Sequence, residues 1–312
     1  MQRKFLTYSL LFFLPVVAGY LALEYASRQL PSVFKENQRY INETAPTIET
    51  LVLGSSQIQG AINPEWLDSP TVNMASGDQH HNTDFKLLQG MIDRFPQLKT
   101  VVLEVSYSHF ELPHNSKDFW KNALYLNYFE VNCFERTTYF KDRLLYLANP
   151  KFFSQRLHED YLNTEKTTNF NDYAFNLNNY EGQFKTLGYD EQRIADMPNF
   201  KINREPNLQL FKYNTALFEE MLAYLKAKNL QVILVQAPMY KTYHAKKTPA
   251  ILYRRDSTVS AVLRNYNNVH LLNAENDTIN YVVKDYWNQS HLNPKGAKKF
   301  TASLNTFLND LK

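Results

Sequence analysis

The sequence predicts an α/β protein in which a mainly parallel sheet is covered by helices on both faces. Short runs of branched apolar residues recur along the chain, and such runs are typical of strands buried on both sides. Between them lie segments with apolar residues at three- and four-residue spacing, which is typical of amphipathic helices. This alternation indicates parallel strands joined by helices, in a three-layer arrangement. Hydrophobic residues make up 44% of the 312 residues, which is enough for a large core.

The predicted elements follow one another in a regular order. Apolar runs predict strands at about 49–54, 71–75, 99–105, 230–235 and 268–272. Apolar periodicity predicts helices at about 83–95, 207–229, 249–266 and 294–311. Pro96 ends the first of these helices, and Asn207 caps the second. Asn293 caps the last helix, and Pro294 opens it.

The region from about 107 to 205 breaks this alternation. It is rich in Asn, Tyr and Phe and shows no clean order of strands and helices. It is also too long for an ordinary loop. We expect an inserted, largely helical cap over the edge of the sheet. A second subdomain without any role in binding is the alternative.

The N-terminal segment, residues 1–28, is predicted to be an uncleaved membrane anchor. Residues 5–23 carry no charge, and as a helix these roughly 19 residues span about 28 Å, close to the hydrocarbon core of a bilayer. A cleaved signal peptide is the competing interpretation, but residues 22–27 offer only a poor cleavage site. Residues 29–48 are predicted to form a stalk, and residues 49–312 an α/β domain that carries the insertion.

Charge and composition predict sidedness and exclude some partners. Arg3 and Lys4 precede the apolar segment, which predicts a single-pass protein of the cytoplasmic membrane with its body on the periplasmic or extracellular side. The net charge of 34 − 31 = +3 is too small to indicate nucleic-acid binding. The only cysteine, Cys133, excludes an intramolecular disulfide. Beyond the adjacent His80 and His81, no residues have the spacing of metal ligands, so neither a metal nor a cofactor is expected.

Two local patterns, near opposite ends of the predicted α/β domain, carry candidate catalytic residues. Residues 51–57, Leu-Val-Leu-Gly-Ser-Ser-Gln, predict a buried strand that ends in a sharp turn, where Ser56 presents its hydroxyl at the carboxyl edge of the sheet. His291 lies in a loop directly before the last helix, which also places it at a sheet edge. If the two residues meet, His291 can take the proton of Ser56, which is the minimum for acyl transfer through a serine ester.

Several stretches of the sequence resemble the sequence blocks of SGNH/GDSL hydrolases. Gly54-Ser55-Ser56 resembles the first block, with Ser55 in the place where Asp is usual. Asn73-Met-Ala-Ser-Gly77 is similar to the second block, and His291-Leu-Asn-Pro-Lys-Gly-Ala resembles the final one. The Gly-Ser-Ser form, the anchor and Leu103-Glu-Val-Ser106 are similar to membrane-anchored relatives, among them the D-alanine transfer protein of teichoic-acid modification and the alginate O-acetylation proteins. The resemblance covers residues 51–105 and 208–312.

The resemblance implies a role for several residues. Ser56 would be the nucleophile, and His291 would act first as general base and then as general acid. The backbone N–H groups of Gly77 and Ser56 would bind the oxyanion. Gln57 and His80 are expected to line the substrate pocket.

The sequence departs from the family pattern at two positions. The family usually has Asp three residues before the histidine, where this chain has Asn288. Asn288 can orient the imidazole but carries no charge, and Asp285 is the alternative partner for His291. The Asn that usually donates to the oxyanion from the third block is missing, and this chain has the hydroxyl of Ser106 there instead.

Together these features predict a serine esterase or O-acyltransferase that acts on acyl groups of a cell-surface polysaccharide through an acyl-enzyme on Ser56. Acetyl is the expected acyl group, and family analogy adds an acyl-donating membrane protein as a partner. The alternative is a catalytically weak or inactive protein that keeps the SGNH fold and binds or assembles carbohydrate. The two departures from the family pattern favour this alternative.

Overall fold

The computed structural model describes residues 2–134, 142–163, 168–180, 182–197 and 202–311. The chain divides into two compact units. The first comprises Met1–Ser32 and Lys117–Thr168, and the second comprises Val33–Ser116 and Asn169–Lys312. The predicted division into anchor, stalk, α/β domain and inserted cap stays a prediction.

The second unit is built on a parallel sheet of five strands. In chain order they are β1 (Thr50–Leu53), β2 (Thr71–Asn73), β3 (Thr100–Glu104), β4 (Gln231–Gln236) and β5 (Val269–Asn273). Their spatial order is β2-β1-β3-β4-β5, and every neighbouring pair is parallel. The predicted parallel sheet is therefore confirmed. Each strand lies within two residues of its predicted bounds, because strands buried on both faces need continuous apolar runs.

Helices of the second unit cover this sheet in the predicted three-layer arrangement. In chain order the described α-helices are α1 (Gln2–Gln29), α2 (Val33–Thr44), α3 (Ser56–Gln59), α4 (His81–Met91), α5 (Asn122–Leu124), α6 (Leu145–Ala148), α7 (Pro150–Tyr161), α8 (Gln183–Thr186), α9 (Glu191–Ala195), α10 (Leu208–Ala227), α11 (Lys241–His244), α12 (Pro249–Asn265) and α13 (Pro294–Asp310). A π-helical turn covers Tyr125–Phe129. Short 3-10 turns cover Ala45–Thr47, Pro64–Trp66, Ile92–Arg94, His109–Glu111, Leu177–Tyr180 and Val283–Asp285.

Side-chain caps start the two helices for which the sequence predicted them. The Asn207 side chain accepts a hydrogen bond from the N–H of Leu210 at the start of α10. Asn293 caps α13, which opens with Pro294 as predicted. The helix α4 differs from its prediction, since it begins at His81 and ends at Met91, and the rest of the predicted helix is a 3-10 turn.

Part of the segment predicted as a stalk is packed into the second unit. Phe34, Tyr40 and Ile41 of α2 are buried. The side chain of Asn37 in the same helix donates a 2.8 Å hydrogen bond to the carbonyl of Asn73 at the end of β2. The helix α2 is thus held by apolar contacts and by a buried hydrogen bond next to the sheet.

The first unit contains α1, a 28-residue helix with a mean hydropathy of 1.9 in its most apolar window. Within the described ranges it is the one helix long and apolar enough to cross a membrane, and a signal sequence has the same character. Near its C-terminal end the buried carboxylate of Glu24 accepts hydrogen bonds from the N–H groups of Leu145 and Tyr146, which start α6. Arg28 pairs with the same carboxylate at 2.8 Å.

A short antiparallel hairpin precedes α13 and was not predicted. Its strands are β6 (Tyr286–Asn288) and β7 (His291–Leu292), with a register irregularity between Tyr286 and Asn288. The sequence gives a weak signal for such short strands, because polar and aromatic residues alternate there without an apolar run. This hairpin carries His291.

Candidate active site

The turn after β1 places Ser56 at the carboxyl edge of the sheet. Ser55 caps α3 by accepting a hydrogen bond from the N–H of Gln57, and Ser56 is the first residue of this helical turn. The chain moves away from β1 in both directions, to β2 and to β3. In open parallel sheets, ligands bind at such a switch point, outside the carboxyl ends of the strands. Ser56 therefore lies where this fold places binding sites.

Gly54 and Glu104 determine the shape of this turn. Gly54 has φ +148°, a conformation that residues with a side chain rarely adopt. A Cβ atom at Gly54 would lie 2.8 Å from both Cβ and Oε2 of Glu104, so the glycine also allows the close approach of β3. The Glu104 carboxyl accepts hydrogen bonds from the N–H of Ser55 at 2.6 Å and from its hydroxyl at 3.1 Å. The residue next to Ser56 is thus held by two bonds to a buried side chain.

The start of α13 positions His291 from the other end of the chain. The Asn293 side chain accepts from the N–H groups of Lys295 and Gly296 and donates to the carbonyl of Lys284. A Cβ atom at Gly296 would lie 2.2 Å from the carbonyl oxygen of Asp285, so only glycine allows this approach. These contacts fix the hairpin β6–β7 against the helix.

The structure places Ser56 and His291, 235 positions apart in sequence, in direct contact. Ser56 Oγ lies 2.8 Å from His291 Nε2, within hydrogen-bond distance. On the other side of the ring, His291 Nδ1 lies 2.9 Å from Oδ1 of Asn288. The three side chains therefore form a continuous chain from hydroxyl to imidazole to amide.

The contacts of Asn288 decide which imidazole nitrogen carries the proton. The backbone N–H of Ser290 donates to the Asn288 amide at 2.9 Å, so the accepting atom must be the amide oxygen. The same oxygen faces His291 Nδ1, which must therefore be the N–H donor. Nε2 is then unprotonated and accepts from the hydroxyl of Ser56. The amide thus selects the tautomer that a general base needs.

The environment of His291 favours the neutral ring. Burial lowers the pKa of His291 from its usual value to about 4. Nδ1 contacts the Asn288 amide and, at 3.1 Å, the Ser290 hydroxyl, and neither group supplies a negative charge to stabilise the imidazolium. The ring is therefore a base at neutral pH, but a weaker one than a histidine beside a carboxylate.

Replacing Asn288 with Asp is expected to move the acid limb of the pH–rate profile. Only neutral His291 can take a proton, so the wild-type kcat/KM is expected to fall as pH drops toward about 4. A carboxylate at position 288 stabilises the imidazolium, raises the pKa of His291, and shifts this limb upward by roughly one to three pH units. Turnover at pH 8 should rise by roughly tenfold, because the base is stronger. Aryl acetate hydrolysis from pH 3.5 to 9 measures both effects.

Asn265→Asp serves as the control for this variant. It adds the same charge at an exposed position at the end of α12. The control should keep the wild-type profile. An acid limb that stays in place in Asn288→Asp would contradict the role assigned to the Asn288 amide.

Asp285, the alternative partner of His291, is held elsewhere. Its buried carboxylate accepts from the N–H of Val282 at 2.9 Å and pairs with Lys299 at 2.7 Å. Its contacts thus close the turn before β6 and tie it to α13. The structure brings Asn288, and not Asp285, to the imidazole.

A polar cavity of about 540 Å³ opens beside Ser56 and His291. The predicted site residues Gln57, His80 and Ser106 also line it. Gly77 lies in the loop after β2, and its neighbour Asp78 lines the cavity. The preceding residue of this loop, Ser76, donates its N–H to the carbonyl of Gly54, which ties the loop to the nucleophile turn. The oxyanion role of Gly77 stays a prediction.

A buried polar cluster that was not predicted from the sequence lies beside this cavity. Ser106 Oγ lies 2.7 Å from His109 Nδ1 and also hydrogen-bonds the Glu104 carboxyl. The ring of His109 stacks on that of His81, with centroids 4.8 Å apart, and His81 Nε2 bonds the carbonyl of Glu104. One signal was present in the sequence, because Glu104 interrupts the apolar strand Val-Val-Leu-Glu-Val. A charged residue in such a strand is buried only with partners.

Burial shifts the pKa values of this cluster toward uncharged forms. It raises the pKa of Glu104 to about 7, although the hydrogen bonds from Ser55 act in the opposite direction. Burial likewise raises the pKa of Asp84 to about 8 and lowers that of His81 to about 4. Near neutral pH, Asp84 and His81 are thus mainly uncharged, and Glu104 is close to the midpoint of its titration.

Among the known proteins compared with this chain, only solved structures match it. No family model matches the sequence, and no curated protein matches it. A GDSL-like lipase from Bacteroides thetaiotaomicron is similar with a TM-score of 0.42 and 10% identity, over 89% of this chain and 100% of that one. A protein assigned as an acylhydrolase from Bacteroides fragilis is similar with a TM-score of 0.41 and 12% identity, over 88% of this chain and 96% of that one.

The two neighbours are named as a GDSL-like lipase and an acylhydrolase. The roles proposed for individual residues rest on the contacts within this chain and not on these low-identity neighbours.

Proposed function

We propose that the protein is a serine esterase or O-acyltransferase of the SGNH type. The observation that carries this proposal is the chain of contacts from Ser56 Oγ through His291 to the Asn288 amide, with 2.8 and 2.9 Å between the atoms. A hydroxyl at hydrogen-bond distance from an unprotonated imidazole nitrogen is the arrangement that activates a serine nucleophile. The adjoining cavity gives a substrate access to this hydroxyl.

The proposed reaction has two halves. Ser56 Oγ attacks the carbonyl carbon of the ester while its proton moves to His291 Nε2. The backbone N–H groups of Ser56 and Gly77 bind the oxyanion, and each such donor contributes roughly 3 to 4 kcal/mol to transition-state stabilisation. The C–O bond to the leaving alcohol then breaks, and His291 returns the proton to that alcohol. In the second half, water or another alcohol gives its proton to His291 Nε2 as its oxygen attacks the acyl carbon. The bond from that carbon to Ser56 Oγ then breaks, and His291 returns the proton to Ser56 Oγ, which restores the free enzyme.

Asn288 lowers the rate of this reaction without preventing it. In serine proteases, replacing the Asp of the catalytic triad with Asn lowers turnover by about 10⁴, largely because the histidine then adopts the wrong tautomer. Here the backbone N–H of Ser290 keeps the amide oxygen toward Nδ1, so the useful tautomer is retained. The remaining cost is the missing charge. We therefore infer a slow enzyme and not an inactive one.

The proposed substrate is an acylated, most simply acetylated, polysaccharide of the cell surface. We infer that α1 anchors the protein in the cytoplasmic membrane, with the α/β domain on the periplasmic or extracellular side. The length and apolar character of α1 and the basic residues Arg3 and Lys4 before it support this placement. An acyl-donating membrane protein would supply the acyl group if transfer and not hydrolysis is the reaction.

Labelling with a fluorophosphonate tests the proposal. This reagent reacts with serine hydroxyls that a neighbouring base activates, so Ser56 should be labelled in the full-length protein in detergent. Peptide mass spectrometry identifies the labelled residue, and labelling should fall as pH drops toward about 4, where His291 is protonated. Heat-denatured protein is the control.

Two results would contradict the proposal. Labelling of a serine other than Ser56 would place the nucleophile elsewhere. A folded protein that resists labelling but binds acetylated glycan would instead support the carbohydrate-binding alternative.

A further inference from the structure

Ser56 and His291 lie in the wall between two cavities. The first is the polar cavity described above. The second has a volume of about 450 Å³ and is bounded by α3, by the hairpin β6–β7 and by residues 170–176. Both Ser56 and His291 line each of the two cavities. An ester at Ser56 can therefore extend its two substituents in different directions.

The chemistry of the two walls differs. The polar cavity is also lined by Gln57, His80 and Asn203, whose side chains are partly exposed. A long hydrocarbon chain there would bury these polar groups without replacing their contacts with water, which is unfavourable. This cavity suits a carbonyl oxygen and a short acyl group. It also lies at the carboxyl ends of β1 and β3, beside the loop after β2 that would supply an oxyanion donor.

The second cavity combines aromatic faces with amide groups. Trp287 and Phe170 supply flat apolar surfaces, and Gln59 and Asn176 supply amides. Flat apolar faces with hydrogen-bonding groups at the edge match a sugar ring, which has apolar faces and a rim of hydroxyls. The volume lies in the range of sites that bind small ligands.

Trp287 is held firmly in this wall. It belongs to β6, and its ring lies edge-on to His291 with centroids 6.2 Å apart. The backbone of Gly182 packs against the other side of the indole, where an added Cβ atom would lie 2.5 Å from Cδ1. A fixed aromatic side chain binds a ligand at a lower entropic cost than a mobile one.

The reaction requires the oxygen of the alcohol to lie beside His291. The leaving oxygen receives its proton from Nε2, and an accepting hydroxyl later gives its proton to the same atom. Both oxygens must therefore occupy the same place beside the imidazole. The oxyanion points away from that place, toward its backbone donors.

We propose that the cavity lined by Trp287 and Phe170 binds the alcohol part of the ester, as a sugar ring, and that the polar cavity binds a short acyl group. This assignment rests on the proposed function. It makes Trp287 a specificity-determining residue. It also predicts that the enzyme discriminates strongly by leaving group and admits only short acyl chains.

Filling one cavity at a time tests this assignment. Gly60 lines the second cavity, and a Cβ atom there makes only ordinary contacts, the nearest at 3.5 Å, so Gly60→Leu fills that cavity without a clash at Cβ. Leu112→Trp fills the polar cavity as the matched control. The substrates are ethyl acetate, ethyl hexanoate, cyclohexylmethyl acetate and methyl 6-O-acetyl-α-D-glucopyranoside. The measurement is kcat/KM for the full-length protein in detergent.

Gly60→Leu is expected to lower kcat/KM for the two ring esters by about tenfold or more, and to leave ethyl acetate within about twofold of the wild type. Trp287→Ala should lower kcat/KM for the sugar ester by a similar factor. Leu112→Trp should lower kcat/KM for all three acetates by a similar factor. Wild type should prefer ethyl acetate to ethyl hexanoate and the sugar ester to the cyclohexylmethyl ester.

Several results would contradict this assignment of the two cavities, and each has a different meaning. If Gly60→Leu affects only ethyl hexanoate, the second cavity binds the acyl chain and the assignment is wrong. Equal effects on every ester, or a preference for the cyclohexylmethyl over the sugar ester, would also overturn it. Absence of turnover with all four esters, together with no fluorophosphonate labelling of Ser56, would overturn the proposed function and this assignment with it.

Discussion

Replacing Ser56 with alanine is expected to lower kcat/KM for an aryl acetate by about 10⁴-fold or more, as removal of a nucleophile does in other serine enzymes. The hydroxyl that lies 2.8 Å from His291 Nε2 is lost, and no acyl-enzyme can form. His291→Ala should cost a similar factor. Since the two residues act as one unit, the double variant should be little worse than either single variant. Initial rates of release of the aryl alcohol measure all three.

Ser303→Ala is the control for this series. Ser303 is an exposed residue of α13 and lines neither of the two cavities. Its activity should stay close to the wild-type value. Ser56→Ala should keep the wild-type circular dichroism spectrum, because the backbone hydrogen bonds of the turn do not need its hydroxyl. Turnover by Ser56→Ala equal to that of the wild type would reject the assignment of the nucleophile.

Replacing Glu104 with alanine is expected to lower both stability and activity. The change leaves the partly buried N–H and hydroxyl of Ser55 without their acceptor and opens a cavity next to Gly54. One buried donor left unsatisfied costs about 1 to 3 kcal/mol in the free energy of unfolding. Because the turn that carries Ser56 loses its support, kcat should fall by about 10²-fold, as a misplacement of about 1 Å can cost this much. Urea unfolding and aryl acetate kinetics measure the two effects.

Glu104→Gln is the matched variant. Its amide oxygen can still accept from the N–H of Ser55, and its amide nitrogen can donate to the Ser55 hydroxyl. It should therefore keep most of the stability and activity that Glu104→Ala loses. A Glu104→Ala protein with wild-type kcat would show that the turn holds its shape without this side chain. Equal losses in the Gln and Ala variants would instead indicate that the charge of Glu104 matters more than its hydrogen bonds.

Local features of this protein could be predicted from its sequence. The five strands were found within two residues of their bounds, because burial on both faces imposes continuous apolar runs such as Leu51-Val52-Leu53. The caps at Asn207 and Asn293 were found because a cap depends on its own side chain and on the next three residues. The hairpin β6–β7 was missed, because its strands are too short to carry a periodic signal.

Features that depend on distant residues could not be predicted in the same way. Asp285 and Asn288 were both candidates for the partner of His291, and spacing alone did not separate them. The structure separates them because Val282 and Lys299 take the Asp285 carboxylate, while the bulge in β6 turns the Asn288 amide toward Nδ1. The support of the nucleophile turn by Glu104 likewise joins residues 49 positions apart.

Local sequence was enough to predict the strands, the helix caps, the glycine turn that presents Ser56 and the residues that flank His291. Each of these is set by the torsional preferences and hydrogen-bonding groups of a few neighbouring residues. Only the folded chain shows that Ser56 contacts His291, that the Asn288 amide faces Nδ1, and that two cavities of different chemistry share this pair of residues. These features follow from the packing of segments that are far apart in the chain, and no local preference encodes the distance between them.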